Sequence, residues 1–158
     1  VLPSDTSHVV VLSLTSRIFG NTRSIRVYLP PGYIPGDSAR RYPTFYFNDG
    51  FAVFSARSWN APRALDSLIQ AKTIPPLIAV GIDNAASVPG VANPARSRAN
   101  EFLPYPDSTE PDLPKPEGDK YPAFVVAEIM PLIARSFRVA DGPANTGIGG
   151  SSYGVIAA

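Results

Sequence analysis

The sequence predicts an α/β domain in which a mixed, mostly parallel sheet carries helices on both faces. Three observations carry this expectation. From Thr44 onward, short apolar runs alternate with helical patterns, the order that generates parallel strands joined by crossover helices. Residues 77–82 are apolar without interruption, as expected of a strand covered on both faces. Before Thr44, two strand-like runs flank a turn and predict a hairpin, which makes the sheet mixed.

The elements follow in order. Residues 9–16 are β-branched and apolar and predict the first strand. Phe19-Gly20-Asn21 supplies a turn. Residues 24–29 alternate, with Ile25, Val27 and Leu29 on one face, and predict the second strand. Pro30-Pro31-Gly32 ends it, and 34–41 form a polar loop. Residues 44–47 predict a buried strand that stops at the turn signal Asn48-Asp49-Gly50. Asn60 reads as a helix N-cap, with Pro62 in the first turn and Leu65, Leu68 and Ile69 at helical spacing. Ile74-Pro75-Pro76 breaks that helix before the strand at 77–82.

Residues 83–119 are rich in Pro, Asn, Ser and Asp without clear periodicity, and predict a long binding loop or lid. Residues 121–137 predict a helix with Val125, Ile129, Leu132, Ile133 and Phe137 on a broad face, kinked or divided at Pro131. A last strand is expected at 146–149 and a small-residue helix from Tyr153. No internal repeat is visible, and residues 1–158 read as a single domain.

Composition narrows the functional classes. Of 158 residues, 44% are hydrophobic and 17% charged, which suits a packed core and excludes a disordered polyelectrolyte. The 18 prolines are spread along the chain and punctuate turns. A net charge of +1 without a Lys/Arg run gives no electrostatic footprint for nucleic acid. No apolar run approaches the roughly 18 residues of a membrane span. The sequence has no Cys, which excludes disulfides, thiolate metal sites and a Cys nucleophile. With one His and no EF-hand spacing, neither a metal nor a cofactor is expected. The compartment stays open between cytoplasm, periplasm and secretion. The chain begins at Val1, as a processed, trimmed or fragmentary polypeptide would.

The chemistry-bearing motif is Gly150-Ser151-Ser152-Tyr153-Gly154, a match to G-x-S-x-G between a short strand and a helix. On a sharp turn there, Ser152 would project its Oγ beyond the sheet, with small residues where strand and helix approach. The following helix N-terminus supplies N–H groups and positive potential for a developing anion. Out of this context the pentapeptide reads equally as a Gly/Ser turn. Ser151 occupies the x position and reads as a turn serine bonded to nearby backbone.

Upstream, Asn48-Asp49-Gly50-Phe51 follows a buried strand. An oxyanion hole would combine the Tyr153 N–H with one from Gly50 or Phe51, glycine permitting the close backbone approach. The other reading is an Asp-Gly turn. Trp59 would line the acyl or alcohol site, or simply pack. Arg96 and Arg98 would hold an anionic or catecholate-like substrate, or remain solvated loop charges.

Several blocks in order resemble the enterochelin-esterase and esterase D group of α/β-hydrolases, which includes feruloyl and acetyl-xylan esterases. They are Arg23-Ser24-Ile25-Arg26-Val27-Tyr28-Leu29-Pro30-Pro31-Gly32-Tyr33, Phe45-Tyr46-Phe47-Asn48-Asp49-Gly50, and Ile74-Pro75-Pro76-Leu77-Ile78-Ala79-Val80-Gly81-Ile82-Asp83-Asn84. Glu101-Phe102-Leu103-Pro104-Tyr105 and Ile148-Gly149-Gly150-Ser151-Ser152-Tyr153-Gly154 complete the set. The resemblance implies hydrolysis of a small-molecule ester through an acyl-enzyme on Ser152, with a His base and an acidic residue later in the chain.

Two departures stand out. Val155 occupies a position where relatives often carry a second glycine, and no His or acidic residue follows Ser152. The lone His8 precedes the first strand and is expected at the far edge of the sheet, exposed. Asp83 and Asp49 have no His to orient. The expectation is therefore an α/β-hydrolase domain truncated after the nucleophile elbow. Its open edge would pair with a missing C-terminal half or with a second copy. A self-associating module with weak or no catalysis is the alternative, and acyl transfer to an alcohol would use the same site.

Overall fold

The first two β-rich runs pair as the sequence predicts. In this computed structural model, which describes residues 6–37, 39–107 and 115–158, β1 (His8–Thr15) and β2 (Thr22–Leu29) form an antiparallel hairpin. Its register runs from His8 opposite Leu29 to Thr15 opposite Thr22. Gly20 in the connecting turn sits at φ 64°, a conformation that costs a residue without Cβ little.

β3 (Thr44–Asn48), β4 (Ile78–Ile82) and β5 (Thr146–Gly149) complete a five-stranded sheet in the order β1-β2-β4-β3-β5. β4 is antiparallel to β2 and parallel to β3, and β3 is parallel to β5. The sheet is thus mixed, with its parallel part where strand–helix alternation begins. All five residues of β4 are buried, matching its uninterrupted apolar run.

Helices cover both faces. After β3 come α1 (Gly50–Val53) and α2 (Ala61–Gln70). Leu65 and Ile69 of α2 pack with Phe54 over Tyr28 and Ala79. Asn60 caps α2 by position, with φ 51° and no side-chain cap hydrogen bond, and Leu68 is 40% exposed, not part of the core face. The segment expected as a loop over 83–119 contains a helix, α3 (Pro94–Phe102). The Asn93 side chain accepts from the Arg96 N–H at 3.1 Å, and Pro94 takes the first helical position. Residues 108–114 of that segment lie outside the described residues.

On the other face α4 (Tyr121–Phe124), a π-helical stretch (Val125–Ile129) and α5 (Met130–Ser136) run end to end. Phe124, Val125, Ile129 and Ile133 bury against Ile25, Val27 and Val80. Pro131 lacks the N–H that an α-helix would direct at Ala127, and the widened turn just before it absorbs the mismatch, with Met130 N–H bonded to the Val125 carbonyl. The helix expected over 121–137 is thus divided just before Pro131, into α4 and α5, by the π-helical stretch.

β4 lies on one side of β3 and β5 on the other, reached across opposite faces. The C-terminal end of β3 is the switch point where open α/β sheets place their ligands.

Candidate active site

β3 ends in two buried polar residues held by side-chain hydrogen bonds. Asn48 is fully buried. Its Nδ2 donates to the Gly154 carbonyl at 2.7 Å, and its Oδ1 accepts from the Tyr121 hydroxyl at 2.7 Å. Burial pushes the Tyr121 phenol well above its ordinary pKa, so it remains a donor.

Asp49 follows at φ 60° and ψ 44°, left-handed for a non-glycine residue. Its carboxylate accepts from Arg98 Nε at 2.8 Å and Nη2 at 2.7 Å, and from the Asn84 side-chain amide. The hydrogen bond to Asp49 outweighs desolvation and raises the Arg98 pKa. Gly50 then opens α1 against β4, where a Cβ would fall 2.4 Å from the Gly81 carbonyl carbon. The N–H groups of Gly50 and Phe51 head α1 and by position have no intrahelical acceptor.

β5 delivers the second component. Ser152 sits at φ 54° and ψ −130° between β5 and α6 (Tyr153–Ile156), a region that non-glycine residues occupy at a cost of about 1–3 kcal/mol. Its side chain is exposed. Gly150 is required by contact, since a Cβ there would lie 2.5 Å from the Gly154 carbonyl oxygen; a Cβ on Gly154 would be a tight neighbour of Asp49 Oδ2 at 3.0 Å. Tyr153 heads α6, and its hydroxyl donates to Asp107 at 2.7 Å. Val155, in place of the second glycine, is 57% exposed and meets no packing conflict.

Asp49, Phe51, Trp59, Arg98, Ser151 and Ser152 surround a cavity of about 200 Å³. Phe51 and Trp59 give it an aromatic wall, 40% and 50% exposed respectively. A larger groove of about 530 Å³, between Leu14, Arg17, Glu128 and Arg135, lies at the β1 edge, away from Ser152.

The structure therefore brings Ser152, Tyr153, Gly50, Phe51, Trp59 and Arg98 together. Arg96, two residues before Arg98 on α3, does not line the cavity. His8 is the exposed first residue of β1, at the opposite edge and the opposite end of the sheet, roughly 19 Å away across the strands. Asp83 forms a bidentate pair with Arg26, at 2.9 Å for each contact. Among the described residues no cluster of three or more His, Cys, Asp or Glu could hold a metal, and no helix is long and apolar enough to cross a membrane.

Sequence reasoning missed the supporting shell: Asn48, Asn84, Tyr121 and the buried Arg23–Glu101 pair at 2.7 Å. The Asn93-Pro94 start signal was available and locates α3, hence the side that Arg98 faces.

The chain matches the family described as "Putative esterase" over residues 16–158. It is 27% identical over 145 residues to uncharacterized protein YbbA of Bacillus subtilis (strain 168), covering 90% of this chain and 51% of that protein. Among solved structures it is similar to an IroE-like serine hydrolase from Shewanella oneidensis, with TM-score 0.72 and 22% identity, over 95% of this chain and 44% of that one. It is also similar to enterochelin esterase from Shigella flexneri, with TM-score 0.66 and 22% identity, over 98% and 32% respectively. These likenesses share the hydrolase fold. The chain spans about half the length of that Bacillus subtilis protein.

Proposed function

The chain belongs to the Esterase family, and from that premise we propose that it is the nucleophile-bearing part of a serine carboxylic-ester hydrolase, residues 1–158 forming part of a single domain. The observation that carries the reading is Ser152, exposed at φ 54° and ψ −130° on the turn between β5 and α6, at the rim of the 200 Å³ cavity.

In the proposed reaction Ser152 Oγ attacks the ester carbonyl, and its proton passes to a general base. The tetrahedral oxyanion accepts hydrogen bonds from the Tyr153 N–H and from Gly50 or Phe51 N–H at the head of α1. Collapse expels the alcohol and leaves an acyl group on Ser152, which water then removes. Phe51 and Trp59 would hold the apolar part of the ester. Arg96 would touch only a substrate extending beyond the cavity. The distance of His8 supports a His base supplied from outside these 158 residues, together with the acid that orients it. Small-molecule esters, with enterochelin-like lactones and feruloyl or acetyl esters among them, are the proposed substrate class.

A second reading is favoured by one observation. Among the described residues β5 pairs only with β3, leaving its outer edge open, and Val155 and Ile156 of the following α6 are 57% and 49% exposed. A self-associating module would cover this edge with a second copy. Turnover of p-nitrophenyl acetate by the full-length polypeptide separates the two. The esterase reading expects Ser152→Ala to lower the rate by about 10³-fold or more; equal rates for wild type and variant would remove Ser152 from the mechanism.

A further inference from the structure

Arg98 lies on α3, in a segment whose sequence offers it as an anchor for an anionic substrate or as a solvated loop charge. Its surroundings give it different work. One edge of its guanidinium is committed to Asp49 through Nε at 2.8 Å and Nη2 at 2.7 Å, a paired-fork geometry. Nη2 also reaches the Ser151 carbonyl at 3.3 Å. The guanidinium carbon stands 5.3 Å from the Phe102 ring centroid and 5.7 Å from that of Tyr153, so its planar group is fixed by aromatic contacts as well as along its edge.

The two groups it holds are not arbitrary. Asp49 is the left-handed residue immediately before Gly50 and Phe51, and the Ser151 carbonyl belongs to the peptide immediately before Ser152. Asp49 and Ser152 are both strained, and both turns are therefore tied to one side chain. The turn at Asp49 aims the N–H groups that head α1, and the turn at Ser152 aims Oγ and the Tyr153 N–H. The two turns are distant in sequence and follow the paired strands β3 and β5; the Asn48 amide bonded to the Gly154 carbonyl spans them from below, and Arg98 spans the turn residues themselves.

Resting on the serine-esterase reading above, we propose that Arg98 is a positioning residue: it clamps the Asp49 turn to the Ser152 turn and so fixes the two halves of the oxyanion hole relative to the nucleophile. It does not serve as the anchor for a substrate anion. Asn84 buttresses the same carboxylate and takes the Ala86 N–H on its own Oδ1 at 2.8 Å, which extends the clamp to the end of β4. Lysine cannot replace this arrangement, because a single ammonium cannot span both carboxylate oxygens and the Ser151 carbonyl in a fixed fork.

The test uses Arg98→Ala and Arg98→Lys in the full-length polypeptide with two substrates, neutral p-nitrophenyl acetate and anionic 4-acetoxybenzoate. The clamp predicts that kcat falls for both substrates alike, by roughly 10–100-fold as expected for misplaced catalytic groups, with KM little changed. It also predicts that added guanidinium restores part of the rate to Arg98→Ala and none to Arg98→Lys. Should Arg98→Ala fail to fold, Arg98→Lys decides, since it keeps the charge and most of the packing. A rise in KM confined to 4-acetoxybenzoate would overturn the clamp in favour of substrate anchoring, and wild-type kcat in both variants would overturn it outright. If wild-type turnover proves independent of Ser152, the serine reading itself fails, an outcome distinct from either of these.

Discussion

Asn48 and Gly154, 106 positions apart, are joined by a hydrogen bond of 2.7 Å from the Asn48 side-chain amide to the Gly154 carbonyl. Since the Tyr121 hydroxyl donates to the other end of the same amide, one buried side chain ties β3 to the start of α6 and to α4. Asn48→Ala would leave a buried hydroxyl and a buried carbonyl without partners. It is expected to cost about 2–4 kcal/mol, read as a lower urea midpoint with an unchanged m-value. An unchanged midpoint would show that the bridge contributes nothing.

The glycines around the candidate site are separable by what stands opposite them. A Cβ on Gly150 would press on the Gly154 carbonyl at 2.5 Å, which is backbone, whereas a Cβ on Gly147 would meet the edge of the Phe45 ring at 2.6 Å, which is a side chain. Gly150→Ala is expected to destabilise by about 3 kcal/mol and to impair turnover, and Gly147→Ala by about 1 kcal/mol or less. Thermal unfolding of the pair checks the order, and equal losses would contradict it.

Much of the framework was legible because it depends on local pattern. The apolar run in β4, the alternation in β2 and the position of Ser152 between strand and helix each follow from side-chain periodicity and turn chemistry. Other features needed tertiary information. Arg98 and Asp49 lie 49 positions apart, and no local spacing announces that one neutralises the other. Leu68 satisfies helical spacing, yet α2 is too narrowly covered to bury it. Asn60 was recognised by residue type, but it starts α2 through a left-handed backbone without a side-chain bond. α3 was hidden by polar composition although Asn93-Pro94 marks its start, because its buried residues Ala99, Glu101 and Phe102 include a charge.

That charge has a pH signature. Glu101 is buried beside Arg23, and burial outweighs the ion pair, holding its carboxyl above the ordinary range. One of its oxygens has no hydrogen-bond partner. The folded state therefore binds this proton more tightly than the unfolded chain. Its contribution favours folding below the ordinary carboxylate range and is lost as pH rises through the raised value. The stability of wild type relative to Glu101→Gln should accordingly decline as pH increases above the ordinary carboxylate range, about 4. Denaturant titrations of both proteins over that rise measure it, and a difference that grows with pH would contradict the assignment.

The aromatic wall makes a separate claim. Trp59 is half exposed beside the cavity, so its removal should disturb binding more than folding. Trp59→Ala is expected to raise KM for aryl esters by roughly 3–10-fold while the unfolding midpoint moves little. An unchanged KM would place the acyl or alcohol group elsewhere.

The central claim is that Ser152, not its neighbour Ser151, is the reacting serine. Treating the full-length polypeptide with a fluorophosphonate and mapping the adduct by peptide mass spectrometry tests it most directly. The account predicts one adduct, on Ser152, that disappears in Ser152→Ala and persists in Ser151→Ala. An adduct on Ser151, or none on a folded protein that still hydrolyses esters, would contradict it.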